Sequence, residues 1–267
     1  MLQPEKTNRL ENNVKKILSK GGTAWGASLA DASELLAKLT LDAGADFIWV
    51  DTEHRPYGAD KIKWIPILCR LQGRSTVVRV AGLDPQLIKK ALDVGANAIM
   101  VPQVNTPEEA RLAVEYAKYP PQGTRGISPL WNFYLDVSYD EYLPAANDET
   151  CVIVQIETPE GIKNVEAIGE VEGVDVVFAG PLDSSAALGH MGNIGHPEVQ
   201  RFLEEFPRRV EKTGKASGIT FFGFDDCLRA YNQGYRFIAV GNLAGYGKVG
   251  LEADLTKLRE FEKGQTE

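Results

Sequence analysis

Residues 76–101 contain Thr76-Val-Val-Arg-Val80, then Asp84-Pro-Gln-Leu-Ile-Lys-Lys-Ala-Leu-Asp-Val-Gly95, then Ala98-Ile-Met-Val101. The first run is short and β-branched. The middle stretch repeats Leu87, Ile88, Ala91 and Leu92 at helical spacing, and a second apolar run follows. Asp84-Pro85 opens the helix as N-cap and first-turn proline, and Gly95 closes it. This is one strand–helix–strand unit of the kind that builds a parallel sheet.

The same unit recurs along the chain. Strands are predicted at Ala24–Ser28, Asp46–Asp51, Thr76–Val80, Ala98–Val101, Cys151–Glu157, Val174–Ala179, Ala216–Ile219 and Phe237–Gly241. Helices are predicted at Ala30–Ala43, Asp84–Val94, Pro107–Tyr116, Glu160–Ile168, Pro197–Lys212 and Phe224–Gln233. Leu10, Val14, Ile17 and Leu18 mark a lead-in helix suited to closing a barrel's bottom, and Ala253–Phe261 a terminal one. Roughly eight repeats in a chain of this length fit a closed (β/α)8 barrel of about 250 residues. An open doubly wound sheet would carry a GxGxxG turn after its first strand, and none follows Ala24–Ser28. With no linker-like tract, residues 1–267 are expected to form a single (β/α)8 TIM barrel of the α/β class with an N-terminal lead-in helix. Tyr119–Asp148, rich in aromatics, Pro and Gly, reads as one long functional or oligomer-contact loop.

Composition narrows the function. At 43% hydrophobic and 25% charged, the chain is neither disordered nor fibrous. Lys plus Arg number 29 against 37 Asp plus Glu, a net charge of -8, which argues against nucleic acid as a partner. No apolar run approaches the roughly 20 residues of a membrane span. The start, Met1-Leu-Gln-Pro-Glu-Lys6, lacks the layout of a secretory signal. Three cysteines without CxxC spacing argue against a disulfide framework or zinc cluster, so a cytoplasmic location is expected.

In such a barrel the active site forms at the carboxyl ends of the strands. Asp51 ends the second strand and runs into Thr52-Glu53-His54-Arg55-Pro56; Asp51 can orient His54 for proton transfer. An ordinary turn with a capped imidazole reads equally well. Alternation puts Arg79 inward beside Val77, and Gln155 and Glu157 inward beside Ile153. The turn Gly180-Pro181-Leu182-Asp183 follows the sixth strand and can offer backbone N–H groups to an anion. Glu157 and Asp183 converge from adjacent strand ends, suiting a hard divalent cation; the plainer reading pairs each with an arginine. Arg79 can clamp a carboxylate or stabilise an enolate oxygen. Arg125 in the long loop can add charge at the mouth. His190, in a Gly-rich loop, and His196, before Pro197, carry less information.

Eight motifs then occur in order: Trp25-Gly26, Asp51-Thr-Glu-His-Arg-Pro56, Val78-Arg-Val80, Leu92-Asp-Val-Gly-Ala96, Val101-Pro102, Tyr119-Pro-Pro-Gln-Gly-Thr-Arg-Gly126, Gln155-Ile-Glu-Thr158 and Gly180-Pro-Leu-Asp183. Together they resemble the HpcH/HpaI aldolase family, the class II metal-dependent pyruvate aldolases of the 4-hydroxy-2-oxoheptanedioate and 2-dehydro-3-deoxyglucarate kind. The likeness runs from about Trp25 to Gly241. It implies a (β/α)8 barrel, typically a hexamer, a trimer of dimers that exchange their last helix. It implies reversible cleavage of 4-hydroxy-2-oxo acids to pyruvate and an aldehyde through a metal-bound pyruvate enolate. By position it assigns Glu157 and Asp183 to a divalent metal (Mg, Mn or Co), Arg79 to the enolate, and His54 with Asp51 to acid–base work. It assigns Gln155 and the Gly180–Asp183 turn to pyruvate and its carboxylate. Asp93 matches an acidic residue near the subunit boundary of the site.

Departures fall where specificity is set. Ser184 replaces a leucine of the family turn, and Gly241-Asn-Leu-Ala-Gly-Tyr-Gly247 replaces a Gly-x-Asp run. Ile127-Ser-Pro-Leu-Trp-Asn-Phe-Tyr134 is bulky where relatives carry an arginine-containing stretch, which assigns Trp131 to an apolar aldehyde pocket. Rival readings are oxaloacetate decarboxylation or another pyruvate-enolate C–C reaction on the same site, an acyl-CoA lyase, and a non-catalytic anion-binding barrel.

Overall fold

The computed structural model describes residues 9–264. Eight parallel strands form a closed barrel in sequence order: β1 (Ala24–Ser28), β2 (Phe47–Asp51), β3 (Ser75–Arg79), β4 (Ala98–Val101), β5 (Cys151–Ile156), β6 (Val176–Ala179), β7 (Ala216–Phe221) and β8 (Phe237–Val240), with β8 pairing back onto β1. This is the (β/α)8 barrel that the repeat predicts, with strand ends shifted by a residue or two.

Period-two alternation sorts the core into two layers. Ile48, Val50, Val78, Ile99, Val152, Val154, Val177, Ile219 and Ile238 face outward and pack under the helices. Phe47, Trp49, Val77, Met100, Ile153, Val176, Phe178 and Phe237 fill the interior. Glycine makes room for the aromatics there. A Cβ on Gly26 would lie 2.4 Å from the Phe47 ring, and one on Gly218 2.7 Å from Phe178. Phe47 stacks on Phe237 at 4.2 Å between centroids.

The lead-in helix Asn13–Ser19 closes the amino end, with Val14 buried in the interior cluster. Its cap is tied to the barrel, because Asn12 Nδ2 donates to the Asn97 carbonyl at 2.8 Å and Ser75 Oγ to Asn12 Oδ1 at 3.0 Å. Asp84 caps the helix Pro85–Asp93, accepting from the N–H groups of Gln86 and Leu87, and Gly95 follows at φ +110°.

The helices depart from expectation in several places, among them the unforeseen Ala59–Ile62 and Pro181–Ala187 and a start at Glu34 where Ala30 is expected. The helix Trp64–Leu71, missing from the reading, packs on β3 and on the helix Glu34–Asp42; Pro66 in its first turn hides it from a search for uninterrupted helical runs. The stretch predicted as helix Glu160–Ile168 is two short helices, Pro159–Lys163 and Val165–Gly169, joined at Asn164. The long interruption holds two helices, Trp131–Leu135 and Tyr139–Glu149, the second opened by a Ser138–Glu141 capping box. The last helix runs Leu243–Gly264, longer than expected, and buries no residue. Among the described residues no helix is long and apolar enough to cross a membrane.

Candidate active site

Strand register gathers the rim. Asp51 and Arg79 are partners at the ends of β2 and β3. Gln155 lies near the end of β5, Glu157 just beyond it, and Gly180 just beyond β6 as N-cap of the helix Pro181–Ala187. Asp183 sits in that helix's first turn.

Arg79 is the hub. Its Nε donates to Asp51 Oδ1 at 3.0 Å and its Nη2 to Asp51 Oδ2 at 2.8 Å. Its Nη1 lies 3.1 Å from Glu53 Oε2, and its guanidinium rests 5.0 Å from the ring centroid of Trp49, the interior residue one step below Asp51. Burial pushes the Asp51 carboxyl up, but the bonds and charge of Arg79 outweigh it and hold the group below its usual range. Glu53 ends above its usual value, because burial outweighs the attraction of Arg79 and His54.

Glu157 is buried and held from two sides. Its Oε1 accepts the Gln103 N–H at 3.1 Å, and its Oε2 accepts from Gln155 Nε2. Burial first, then the carboxylates of Asp183 and Glu53, push Glu157 up to about 7. Gly180 leaves the space beside it. A Cβ there would lie 2.7 Å from Glu157 Oε2 and 2.9 Å from Gln155 Nε2. Pro181 is buried, and Leu182 and Asp183 are exposed at the mouth.

The rim therefore brings together Asp51, Arg79, Gln155, Glu157, Gly180 and Asp183, but it does not pair Asp51 with the His54 ring. The carboxylate is committed to Arg79 and reaches His54 only through its backbone N–H, at 3.4 Å. The imidazole, its side chain 63% exposed, has Nε2 3.6 Å from Glu53 Oε2.

Two assignments are corrected. Trp131 is 1% exposed, packed against the Arg70 guanidinium at 3.9 Å and the edge of Tyr142 at 5.0 Å, in a cluster with Ile67, Leu135 and Val137. It has no surface to offer a substrate. Arg125 is 4% exposed, bonded to Asp93 Oδ1 at 2.8 Å and lying over Tyr119 at 4.5 Å. Asp93 ends its helix where the chain turns back toward the amino end of β4, so this pair braces the barrel's lower flank and not its mouth.

Three residues escaped the sequence reading. Glu53 shares the parity of Asp51, so extending the strand alternation by two would have found it. Trp49 precedes Asp51 by two on the same face. Gln103 gives no sequence signal; it adopts φ +53°, a region costly for a side chain, while its N–H holds Glu157.

Residues 28–245 match the family model for HpcH/HpaI aldolase/citrate lyase. The chain is 40% identical over 243 residues to a 4-hydroxy-2-oxo-heptane-1,7-dioate aldolase of Klebsiella pneumoniae, covering 87% of this chain and 88% of that one. It is 39% identical over 236 residues to a 5-keto-4-deoxy-D-glucarate aldolase of the same species, covering 88% and 91%. The crystal structure of an HpcH/HpaI aldolase from Desulfitobacterium hafniense superposes with a TM-score of 0.82 at 29% identity, over 91% of this chain and 95% of that one. With its barrel superposing and its sequence matching over most of its length, the chain belongs to the HpcH/HpaI aldolase/citrate lyase family.

Proposed function

We propose that this chain, one barrel throughout, is a carbon–carbon lyase: a divalent-metal-dependent aldolase that reversibly cleaves 4-hydroxy-2-oxo acids to pyruvate and an aldehyde. The observation that carries the reading is the charge balance of the rim. Glu53 and Glu157 share the charge of one guanidinium already bonded to Asp51, and Asp183 adds a third carboxylate beside them. That surplus of carboxylate oxygen, beside the space that Gly180 leaves, fits Mg, Mn or Co held by Glu157 and Asp183. Such an ion supplies Lewis-acid polarisation of the 2-oxo carbonyl.

The protein's own groups do the rest. Gln155 and the Gly180–Asp183 turn line the end that receives the 2-oxo acid. His54 takes the proton of the C4 hydroxyl at its imidazole, and Glu53, 3.6 Å away, steadies the resulting cation. The C3–C4 bond breaks and the aldehyde departs. Arg79 spends Nε and Nη2 on Asp51 and sets Nη1 beside Glu53, so its charge offsets the negative charge left on the pyruvate portion until the proton held by His54 passes to C3. Relatives named for a heptanedioate and a glucarate substrate support an acidic 2-oxo acid without fixing its aldehyde half.

Val249, Leu251, Leu255, Leu258 and Phe261 are exposed along the terminal helix, which supports a homo-oligomer, a hexamer built from helix-exchanging dimers. Three buried free cysteines accord with a reducing, cytoplasmic setting. The test is a retro-aldol screen over 4-hydroxy-2-oxo acids, reading pyruvate release before and after EDTA and after Mg or Mn is restored, with oxaloacetate decarboxylation alongside. Metal-reversible release from at least one hydroxy-oxo acid is expected. Turnover untouched by exhaustive chelation defeats the metal assignment, and no release from any substrate with metal present defeats the aldolase.

A further inference from the structure

Away from that centre, the loop between the helices Pro181–Ala187 and Pro197–Glu211 collects two of the chain's three histidines. Two successive turns fold it: the Asn193 N–H donates to the His190 carbonyl at 2.8 Å, and the His196 N–H to the Asn193 carbonyl at 3.1 Å. Gly189 at φ +84° and Gly192 at φ +78° take left-handed conformations that would strain a side chain. Ser185 pins the loop from below. Its carbonyl accepts the His190 N–H at 2.7 Å and its hydroxyl accepts the Gly192 N–H at 3.0 Å.

The fold thus stacks the rings of His190 and His196 at 3.3 Å between centroids, tilted by 18°. His190 Nε2 lies 2.9 Å from Glu198 Oε2. Among the described residues this is the one trio of histidine, cysteine or carboxylate donors whose ligating atoms all lie within 4.8 Å of one another. We propose that His190, His196 and Glu198 form a second cation site, for a borderline transition-metal ion such as Zn2+.

The donor set chooses the ion. Two imidazoles and one carboxylate suit Zn2+, Co2+ or Ni2+, whereas the all-oxygen pair Glu157 and Asp183 suits harder ions. Tetrahedral zinc, with bonds of about 2.0–2.1 Å, needs donors about 3.4 Å apart. Closing a gap of 4.8 Å to that spacing asks for about 1.4 Å of side-chain movement, and the Glu198 side chain is half exposed. Three local features oppose loading. The stack runs the in-plane lone pairs of the two imidazoles nearly parallel, so one ring must swing out of it to share an ion. His196 Nδ1 now accepts the Glu198 N–H as helix cap, a long bond of 3.3 Å that coordination would replace. The positive end of the helix repels a cation, and the Glu198 carboxylate in its first turn offsets that repulsion. A loaded ion would fasten the loop to the next helix, directly behind the helix that carries Asp183.

The test uses the full chain, stripped of metal and then held in excess Mg2+ so that the oxygen pair is occupied, and titrated with Zn2+. Equilibrium dialysis should give one Zn2+ per chain, and zinc X-ray absorption should read two imidazole scatterers. Even outer partners of a metal site are commonly worth about 10–100-fold in affinity, so His190→Gln and Glu198→Gln should each weaken Zn2+ binding by roughly tenfold or more. His190→Gln should keep its Mg2+-supported turnover, which separates this site from the rim and shows that the variant folds. Zn2+ binding equal in wild type and both variants, absent from the wild type, or lacking imidazole in the absorption spectrum overturns the proposal.

Discussion

Arg79 grips Asp51 through two parallel hydrogen bonds of 3.0 and 2.8 Å between register partners on β2 and β3. The planar fork is thereby fixed with one edge on the carboxylate and Nη1 beside Glu53. Lysine keeps the charge but cannot make that geometry. Arg79→Lys should lower kcat by about 10²–10³, the usual worth of a donor aimed at developing negative charge, with KM moving far less. Asp51→Asn should move kcat in the same direction, because it frees the guanidinium to rotate. Steady-state kinetics on metal-loaded, folded variants checks both. A normal rate in Arg79→Lys would leave Arg79 as an ion-pair partner alone.

Gln103 holds Glu157 with its backbone N–H while sitting at φ +53°. Glycine relieves that conformation and keeps the donor, so Gln103→Gly should retain turnover within a few fold. Proline removes the N–H and fixes φ near −65°, so Gln103→Pro should lose most of its turnover and bind Mn2+ more weakly. Parallel Mn2+ titrations and kcat values check the pair. Equal activity in the two variants would show that Glu157 does not depend on this bond.

Why these two contacts differ in legibility is physical. Arg79, Gln155 and Glu157 were readable because strand alternation fixes which side chains point inward. Glu53 and Trp49 obey the same rule and needed only its extension past a strand end. The Asp51–His54 pairing failed because three residues of spacing cannot reveal a stronger competitor 28 positions away, and Arg79 outbids the imidazole for the same oxygens. Gln103 acts through its backbone, which carries no side-chain signal. Trp131 misled because aromatic content marks buried anchors as readily as binding surfaces, and its helix turns the indole onto Arg70 and Tyr142.

Trp131 is consequently a stability residue. Trp131→Ala should cost roughly 3–5 kcal/mol, the usual range for emptying a buried aromatic site. Its aldehyde preference per folded active site should equal the wild type's. Urea unfolding beside kcat/KM ratios for two aldehydes of different polarity tests this, and a changed ratio at unchanged stability would return Trp131 to the pocket.

Lys118 supplies a pH signature at the opposite end of the barrel. It is buried, and its ammonium donates to the Thr150 carbonyl at 2.6 Å and to the Asn147 carbonyl. Burial, aided by the nearby charge of Lys15 and opposed by Asp175, lowers it from 10.5 to about 8. The unfolded chain keeps its proton up to the ordinary value, so between about pH 8 and 10.5 the unfolded state binds more protons than the folded one. Stability must then rise with pH across that window. The penalty, on the order of 3 kcal/mol, is full below the folded value and vanishes above the unfolded one. Lys118→Met removes the titration but strands two carbonyls, so the slope and not the absolute stability carries the test. The wild-type stability minus that of Lys118→Met should be flat from pH 6 to 7.5 and climb by about 3 kcal/mol toward pH 10.5. Urea unfolding at each pH measures it, and titrating groups remote from Lys118 cancel in the difference. A difference that stays flat throughout would mean the two carbonyls hold the ammonium charged as firmly as water does.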